Sequence, residues 1–446
     1  MAPHYPQGNV FYRNLHYSYS LIDYGQGVYL YDVEGKKYLD ASGGAAVVNI
    51  GHGVKEVAEA IARQAQKVGY LNGLQFSHYP VEALAEEISR FLPFPEGRVY
   101  FLSSGSEAVE ASIKLARQYW VEKGRTTKFH VISRRPSYHG NTLAALSLSA
   151  REHYKDIFQP MLNENSKIPA PYCYRCLWDE EYPSCGIKCA LELEKEILKL
   201  GEENVSAFLI EVIGGASTGA AVPPPEYFQI VHAICEKYEI LLIVDEVMTG
   251  AGRTGRWLAC DYYDFSPDVI VMGKGLTGGY FPLSAVAVRN DIVDSISKDG
   301  KSFLHAQTYS HHPVGCAAGL AALTYIKKNN LVKKCSEMGD ILKKKLLSLL
   351  AYSHVGDIRG KGLLLGVEFV SEKKRKKPFL REKKYVEHFL SKAMEKGLIL
   401  WPNIGHADGV NGDLILIAPP FIINQEEISQ IFTILEEILF ETENIE

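Results

Sequence analysis

Six short apolar runs, at residues 98–102, 129–133, 205–210, 240–244, 269–272 and 283–288, punctuate the middle of the chain, with segments of helical period between most of them. Runs without an alternating polar face predict strands buried on both sides. Helices between such strands predict a parallel or mixed sheet covered on both faces. The last two runs are too close for a crossover helix and have Gly and Pro between them, which predicts an antiparallel pair. Upstream, Val57, Ile61, Ala65 and Val68 recur at spacings of 4, 4 and 3, the period of a helix beginning near Val54. Before it, residues 27–40 hold two β-rich runs around Glu34-Gly35, a hairpin pattern.

After about Leu331 the texture changes to α+β. A Lys-rich helical segment leads to a strand signal at 360–370, then a helix, a strand at 414–417 and a final helix from about Asn424. The expected organisation is a large α/β domain over 66–325 and a smaller domain over 326–446, with segment 1–65 belonging to the smaller one. Composition adds little: 46% hydrophobic and 23% charged residues are ordinary for a globular chain and argue against a disordered or fibrous one. A net charge of −5 gives no reason to expect nucleic acid or an anionic membrane as partner. The first residues show neither a basic nor an apolar signal region, and no apolar run approaches the ~20 residues of a membrane span, so a soluble, cytoplasmic protein is expected. The basic run 373–377 is expected to be a solvated loop.

Candidate chemistry falls at carboxyl ends of the expected strands, where open α/β sheets place ligands. Leu102-Ser-Ser-Gly-Ser-Glu-Ala108 joins a strand to a helix carrying Val109, Ile113, Ala116 and Trp120 on one face. Gly105 and Ser106 there would offer free N–H groups to a phosphate, although Ser104 with Glu107 also reads as an ordinary helix cap. Asp245 ends the run 240–244, where a buried carboxylate needs a partner, or else caps the next loop. Lys274 lies between Gly273 and Gly275, where a desolvated amine can act as a nucleophile. Residues 273–278 also match G-x-G-x-x-G, but Pro282 and a β-like run follow where a dinucleotide site needs a helix, so that match fails.

An amine, an acid and a phosphate seat together describe pyridoxal phosphate chemistry: an imine, a protonated ring nitrogen and an anchored phosphate. The ordered blocks Gly27-Val-Tyr-Leu-Tyr-Asp32, Asn49-Ile-Gly-His-Gly53, Tyr138-His-Gly-Asn-Thr142, Gly250-Ala-Gly-Arg-Thr-Gly255 and Gln307-Thr-Tyr-Ser310 accompany those three sites. With the Asp-to-Lys interval of 274 − 245 = 29, the chain resembles the class III (ω-) aminotransferases of the fold-type-I pyridoxal phosphate-dependent family over nearly its whole length. The resemblance implies a large domain with a mostly parallel sheet flanked by helices, plus a smaller α+β domain. It implies that Lys274 carries the cofactor and shuttles the proton, and that Asp245 pairs with the ring nitrogen. Val247 and Tyr138 would cover the two ring faces, and Gly105 and Ser106 would hold the phosphate with Thr308 of a second subunit. Glu211 and His139 would complete the polar surroundings, His139 as a structural hydrogen-bonder. A homodimer or a pair of dimers is implied.

Departures from that pattern bear on substrate. Residues 414–418 contain no Arg where many relatives clamp a substrate carboxylate, and Trp401 occupies the second such place. Small residues, Ala45 and Ala46, stand where many amine transaminases put a bulky aromatic. Arg253 and Arg359 remain, but their blocks recur among relatives of varied substrates, so neither is taken as the clamp. The expected reaction moves an amino group from an amine or ω-amino compound to a 2-oxo acid, pyruvate foremost, by a ping-pong mechanism. The alternatives are a decarboxylating aminotransferase or aminomutase of the same fold and, more distantly, a non-catalytic metal-binding interaction protein. That last alternative draws on Cys173, Cys176, Cys185 and Cys189, whose spacing leaves structural zinc, disulfides and free thiols all open. No catalytic metal is expected.

Overall fold

Each central apolar run becomes a strand because it has no polar face to keep in water. A computed structural model of the chain describes residues 7–443; residues 1–6, on which the expectation about a signal region partly rests, lie outside them. Seven strands form one sheet in the order Arg98–Leu102, Ser284–Val288, Val269–Met272, Leu241–Asp245, Val205–Glu211, His130–Arg135, Lys167–Pro169. Ser284–Val288 runs antiparallel to both neighbours, as its closeness to Val269–Met272 predicts, and the other pairs are parallel. Every residue of Val205–Glu211 and Leu241–Asp245 is buried. At about 1.5–3 kcal/mol for each large aliphatic side chain, these two strands anchor the core. The three-residue edge strand Lys167–Pro169 has no sequence signal; its Pro169 is tolerated because it sits at the sheet edge.

The helix Gly105–Glu122 buries Val109, Ala116 and Trp120, the face that its spacing predicts. Its start is held by a capping box: Ser104 Oγ accepts from the Glu107 N–H at 3.3 Å, and Glu107 Oε2 accepts from the Ser104 N–H at 2.8 Å. Lys55–Lys67 is a helix as expected, but its apolar stripe is buried only at Val57, and Ala65 is exposed.

Hairpin Tyr29–Asp32/Lys37–Asp40 turns where expected, with Asp32 Oδ1 accepting from the Glu34 and Lys36 N–H groups at 3.1 and 2.8 Å. Leu398–Ile399 joins it in parallel beside Lys37–Asp40, so the start of the chain is sewn to its C-terminal part. The 360–370 run, read as one strand, is a correction: it is parts of two. Val355–Lys361 and Leu364–Phe369 pair antiparallel about Gly362, whose φ of +55° is open to glycine. Asp413–Ile417 lies between Leu364–Phe369 and Trp401–Ile404 in the same small sheet. The chain closes on the helix Gln425–Glu443. Lys373, Lys374, Arg375, Lys376 and Lys377 are all exposed, and among the described residues no helix is long and apolar enough to cross a membrane.

One buried cation holds the sheet to its helices. Lys128, 2% exposed, donates from Nζ to the carbonyls of Val205 and Glu239 (3.0 Å each), Glu202 (3.1 Å) and Tyr238 (3.2 Å), and lies 4.7 Å from the Trp120 ring. Burial lowers its amine to about 8. Lys128→Met strips these carbonyls of their donor, and the expected loss is roughly 3 kcal/mol. It should appear as a lower urea midpoint with an unchanged slope; an unaltered midpoint would show that water replaces the amine at no cost.

Candidate active site

Three parallel strands end side by side, and each delivers one polar group. Glu211 closes Val205–Glu211 and pairs in register with Asp245, which closes Leu241–Asp245 and pairs in turn with Val271. Lys274 follows Val269–Met272 by two residues. Its φ of +44° is a conformation that costs a lysine on the order of 1 kcal/mol, and such strain concentrates at functional positions. The side chain lines a cavity of about 190 Å³, and Nζ stands 5.0 Å from the centre of the Trp401 ring. Burial lowers the Lys274 amine to about 8, although Asp245 and Glu211 pull it upward. An amine tuned this way is available as a nucleophile or base near neutral pH.

Asp245 is held from two sides. Its Oδ2 bonds the Nδ1 of His139 at 2.8 Å, and its Oδ1 accepts from the Val247 N–H at 3.0 Å. His139 is 3% exposed and its Nε2 has no partner. Glu211 Oε1 accepts from the Gly215 N–H at 2.8 Å, while Oε2 is buried without a partner. Burial raises the Glu211 carboxyl, an effect tempered by His139 and Arg134. Beside them Glu246, not on the cavity wall, accepts from the Thr249 hydroxyl and from the Cys260 N–H at 2.9 Å, and burial raises it to about 7.

The strand Arg98–Leu102 ends on the same edge because its antiparallel neighbour reverses direction twice across the sheet. The capped helix start brings Gly105 and Ser106 to the cavity wall, so the terminus that carries the cap also offers free N–H groups to that cavity. Ser106 Oγ accepts from the Asn141 N–H at 3.0 Å, and a Cβ on Gly140, where φ is +139°, would sit 2.6 Å from that oxygen. Only glycine fits there. Tyr138, His139 and Val247 line the same cavity. The donor set fits pyridoxal phosphate: an amine in Lys274, an anchored carboxylate in Asp245, flat-packing side chains in Tyr138 and Val247, and helix N–H groups for the phosphate. Glu211 Oε2 adds a buried polar atom that still lacks a partner.

Other expected positions lie outside this wall. Thr308 is exposed and does not line the cavity of its own chain; next to it Gln307 Nε2 donates to Glu107 Oε1 at 3.0 Å. Ala46 is buried and Ala45 half-buried in the turn after Ser42, neither on the cavity wall, whereas Trp401 meets Lys274 directly. Arg253 is committed to the carbonyls of Pro419 (2.6 Å) and Leu363 (3.1 Å), and Arg359 to Asp357 (2.7 Å) and Glu368 (2.8 Å). The reading missed Ile213, Ala216, Met248 and Thr249, which also line the cavity. The strand-end rule would have reached Ile213 and Met248, two or three residues beyond Glu211 and Asp245. The four clustered thiols are unbridged around a small hollow, and among the described residues no three ligand side chains are placed to hold a metal.

The family model described as Aminotransferase class-III matches residues 11–439. The chain is 40% identical to the uncharacterized aminotransferase YodT of Bacillus subtilis, covering 94% of this chain and 95% of that protein. It is 36% identical to the putrescine–pyruvate aminotransferase of Pseudomonas aeruginosa over 95% of this chain and 91% of that one. Among solved structures, a thermostable (S)-enantioselective ω-transaminase from Thermomicrobium roseum superposes with a TM-score of 0.90 at 34% identity, covering 98% and 96% of the two chains.

Proposed function

The chain belongs to the class-III aminotransferases, which are pyridoxal phosphate-dependent enzymes, and from that premise we propose that it transfers nitrogen from an amine or ω-amino compound to a 2-oxo acid in two half-reactions. Bound pyridoxal phosphate supplies an aldehyde carbon for the amine and a ring that takes up the electron pair released when the substrate C–H bond breaks. Lys274, lowered by burial, is the base that moves that proton. Asp245, fixed by His139 and the Val247 N–H, keeps the proton on the ring nitrogen. Gly105 and Ser106 anchor the phosphate. In this reading Thr308 completes the phosphate seat of a second copy in a two-fold dimer; the exposed Leu304 and Tyr309 that flank it favour such a contact.

The observation that carries the substrate class is an absence of guanidinium. Among the described residues no arginine lines the cavity around Lys274, and Arg253 and Arg359 are spent on other partners. A carboxylate on the reacting carbon meets no guanidinium there, at a cost of several kcal/mol that every 2-oxo acid acceptor bears alike, so the missing arginine ranks donors against one another and leaves the choice of acceptor open. The similarity to a putrescine–pyruvate aminotransferase makes a terminal diamine with pyruvate the first pair to try. With pyruvate as acceptor, a terminal diamine, 1-phenylethylamine or β-alanine should exceed glutamate in kcat/KM by about tenfold or more. Glutamate as best donor by that margin would overturn the donor class.

A further inference from the structure

Two arginines outside the Lys274 cavity have no assigned work. Arg151 follows the helix Leu143–Leu148, and its Cζ stands 5.9 Å from the ring of Tyr138, a wall of that cavity, and 4.3 Å from the ring of Tyr154. Its Nη2 donates to Asn403 Oδ1, while its Nε is buried without a partner. Arg13 reaches the same Tyr154 from the N-terminal segment, with Cζ 5.1 Å from the ring, and the two positive charges beside it hold the Tyr154 hydroxyl below the usual phenol range against the effect of burial. Among the described residues neither arginine makes an ion pair. Of the acids close by, Glu387 pairs with Arg381 and Glu152 lies 3.8 Å from Arg135, while Glu211 accepts from the Gly215 N–H through Oε1 and acts on Arg151 only through its charge. Arg151, half-buried, thus has no ion-pair partner, and the exposed Arg13 sets a second positive charge beside it.

Space for an anion adjoins them. Cavities of about 690 and 700 Å³ both include Arg151, His153 and Asn403 in their walls. The strand Trp401–Ile404 sets the scale. Trp401 and Asn403 share one face, about 7 Å apart along the strand; the first meets the Lys274 amine and the second meets Arg151. The guanidinium therefore stands roughly one such step beyond the reacting centre.

We propose that Arg151, assisted by Arg13, forms a binding subsite for a carboxylate several bonds away from the reacting carbon. The inference rests on the transaminase reading above for its chemistry and adds the reach of the substrate. An acid on the reacting carbon is too short to arrive there. The far acid of an ω-amino acid donor, or of a dicarboxylic 2-oxo acid acceptor, is long enough, and a planar guanidinium suits either.

The test compares wild-type holoenzyme with Arg151→Gln, Arg151→Lys and Arg13→Gln. By calorimetry, hexanoate should bind about tenfold or more weakly to Arg151→Gln than to wild type and be weakened in Arg13→Gln, with partial recovery in Arg151→Lys. The uncharged hexanamide should not discriminate among them. Arg13 is exposed, so its substitution leaves the core untouched. Kinetic arms locate the source: a fall in kcat/KM for 6-aminohexanoate relative to hexylamine assigns the donor, and a fall for 2-oxoglutarate relative to pyruvate assigns the acceptor. Failure of wild type to bind hexanoate, or equal affinity in wild type and both glutamine variants, overturns the subsite. The calorimetric result holds whichever donor proves best, so it separates this inference from the donor class proposed above.

Discussion

Lys274→Ala loses on the order of 10⁴-fold or more in kcat/KM, because among the described residues no other amine lines the cavity to take its place as nucleophile and base. The variant also loses the cofactor's visible absorbance on dialysis, while its thermal transition stays within a few degrees of wild type. The side chain lines a cavity and carries little core packing, and its removal relieves a buried cation. Transamination at wild-type rates by this variant would remove Lys274 from the mechanism. The same amine gives a pH signature in the wild-type apoprotein. Its folded-state value of about 8 lies below that of an ordinary lysine, so the free-amine fraction rises as pH passes through about 8. Cofactor capture by the apoprotein should accelerate over that interval and level off above it; a rate flat from pH 7 to 9 would contradict the assignment.

Asp245→Asn is the second large effect, with an expected loss of about 10²–10³-fold in kcat/KM, or roughly 3–4 kcal/mol. An amide is isosteric but neutral, so it cannot hold a proton on the ring nitrogen. It also meets His139 Nδ1 at the 2.8 Å contact with a weaker acceptor or a competing N–H donor. Binding of the cofactor should survive, since Lys274 and the helix terminus at Gly105 and Ser106 are intact. A change below about tenfold would mean that the carboxylate only shapes the site.

Much of this architecture is legible one segment at a time. The run at 240–244 becomes a strand because five consecutive apolar residues have no polar face, and the same reasoning places Asp245 at its end. The Ser104–Glu107 cap is a local pattern, and so is the turn at Glu34-Gly35. The misreading at 360–370 has an equally local cause: an apolar run looks continuous until Gly362 takes a positive φ and folds it back on itself. The half-exposed stripe of Lys55–Lys67 is different, since its period is clear but its burial depends on what packs there.

The sequence by itself determined six of the seven strands of the large sheet, the helix that begins at Gly105, and the places of the candidate amine and acid at strand ends. Each depends on residues adjacent in the chain, where hydrophobic period and capping chemistry act directly. Sheet order was decided only in the tertiary structure. Pairing Glu211 with Asp245, and Asp245 with Val271, brings three carboxyl ends into one cavity from positions scattered over some sixty residues. The bond from His139 to Asp245 spans 106 residues, and the contact of Arg151 with Asn403 spans 252. No periodicity encodes such distances. They are set by which buried faces pack together, and it is that packing which leaves Arg253 and Arg359 locked and Arg151 without an ion-pair partner.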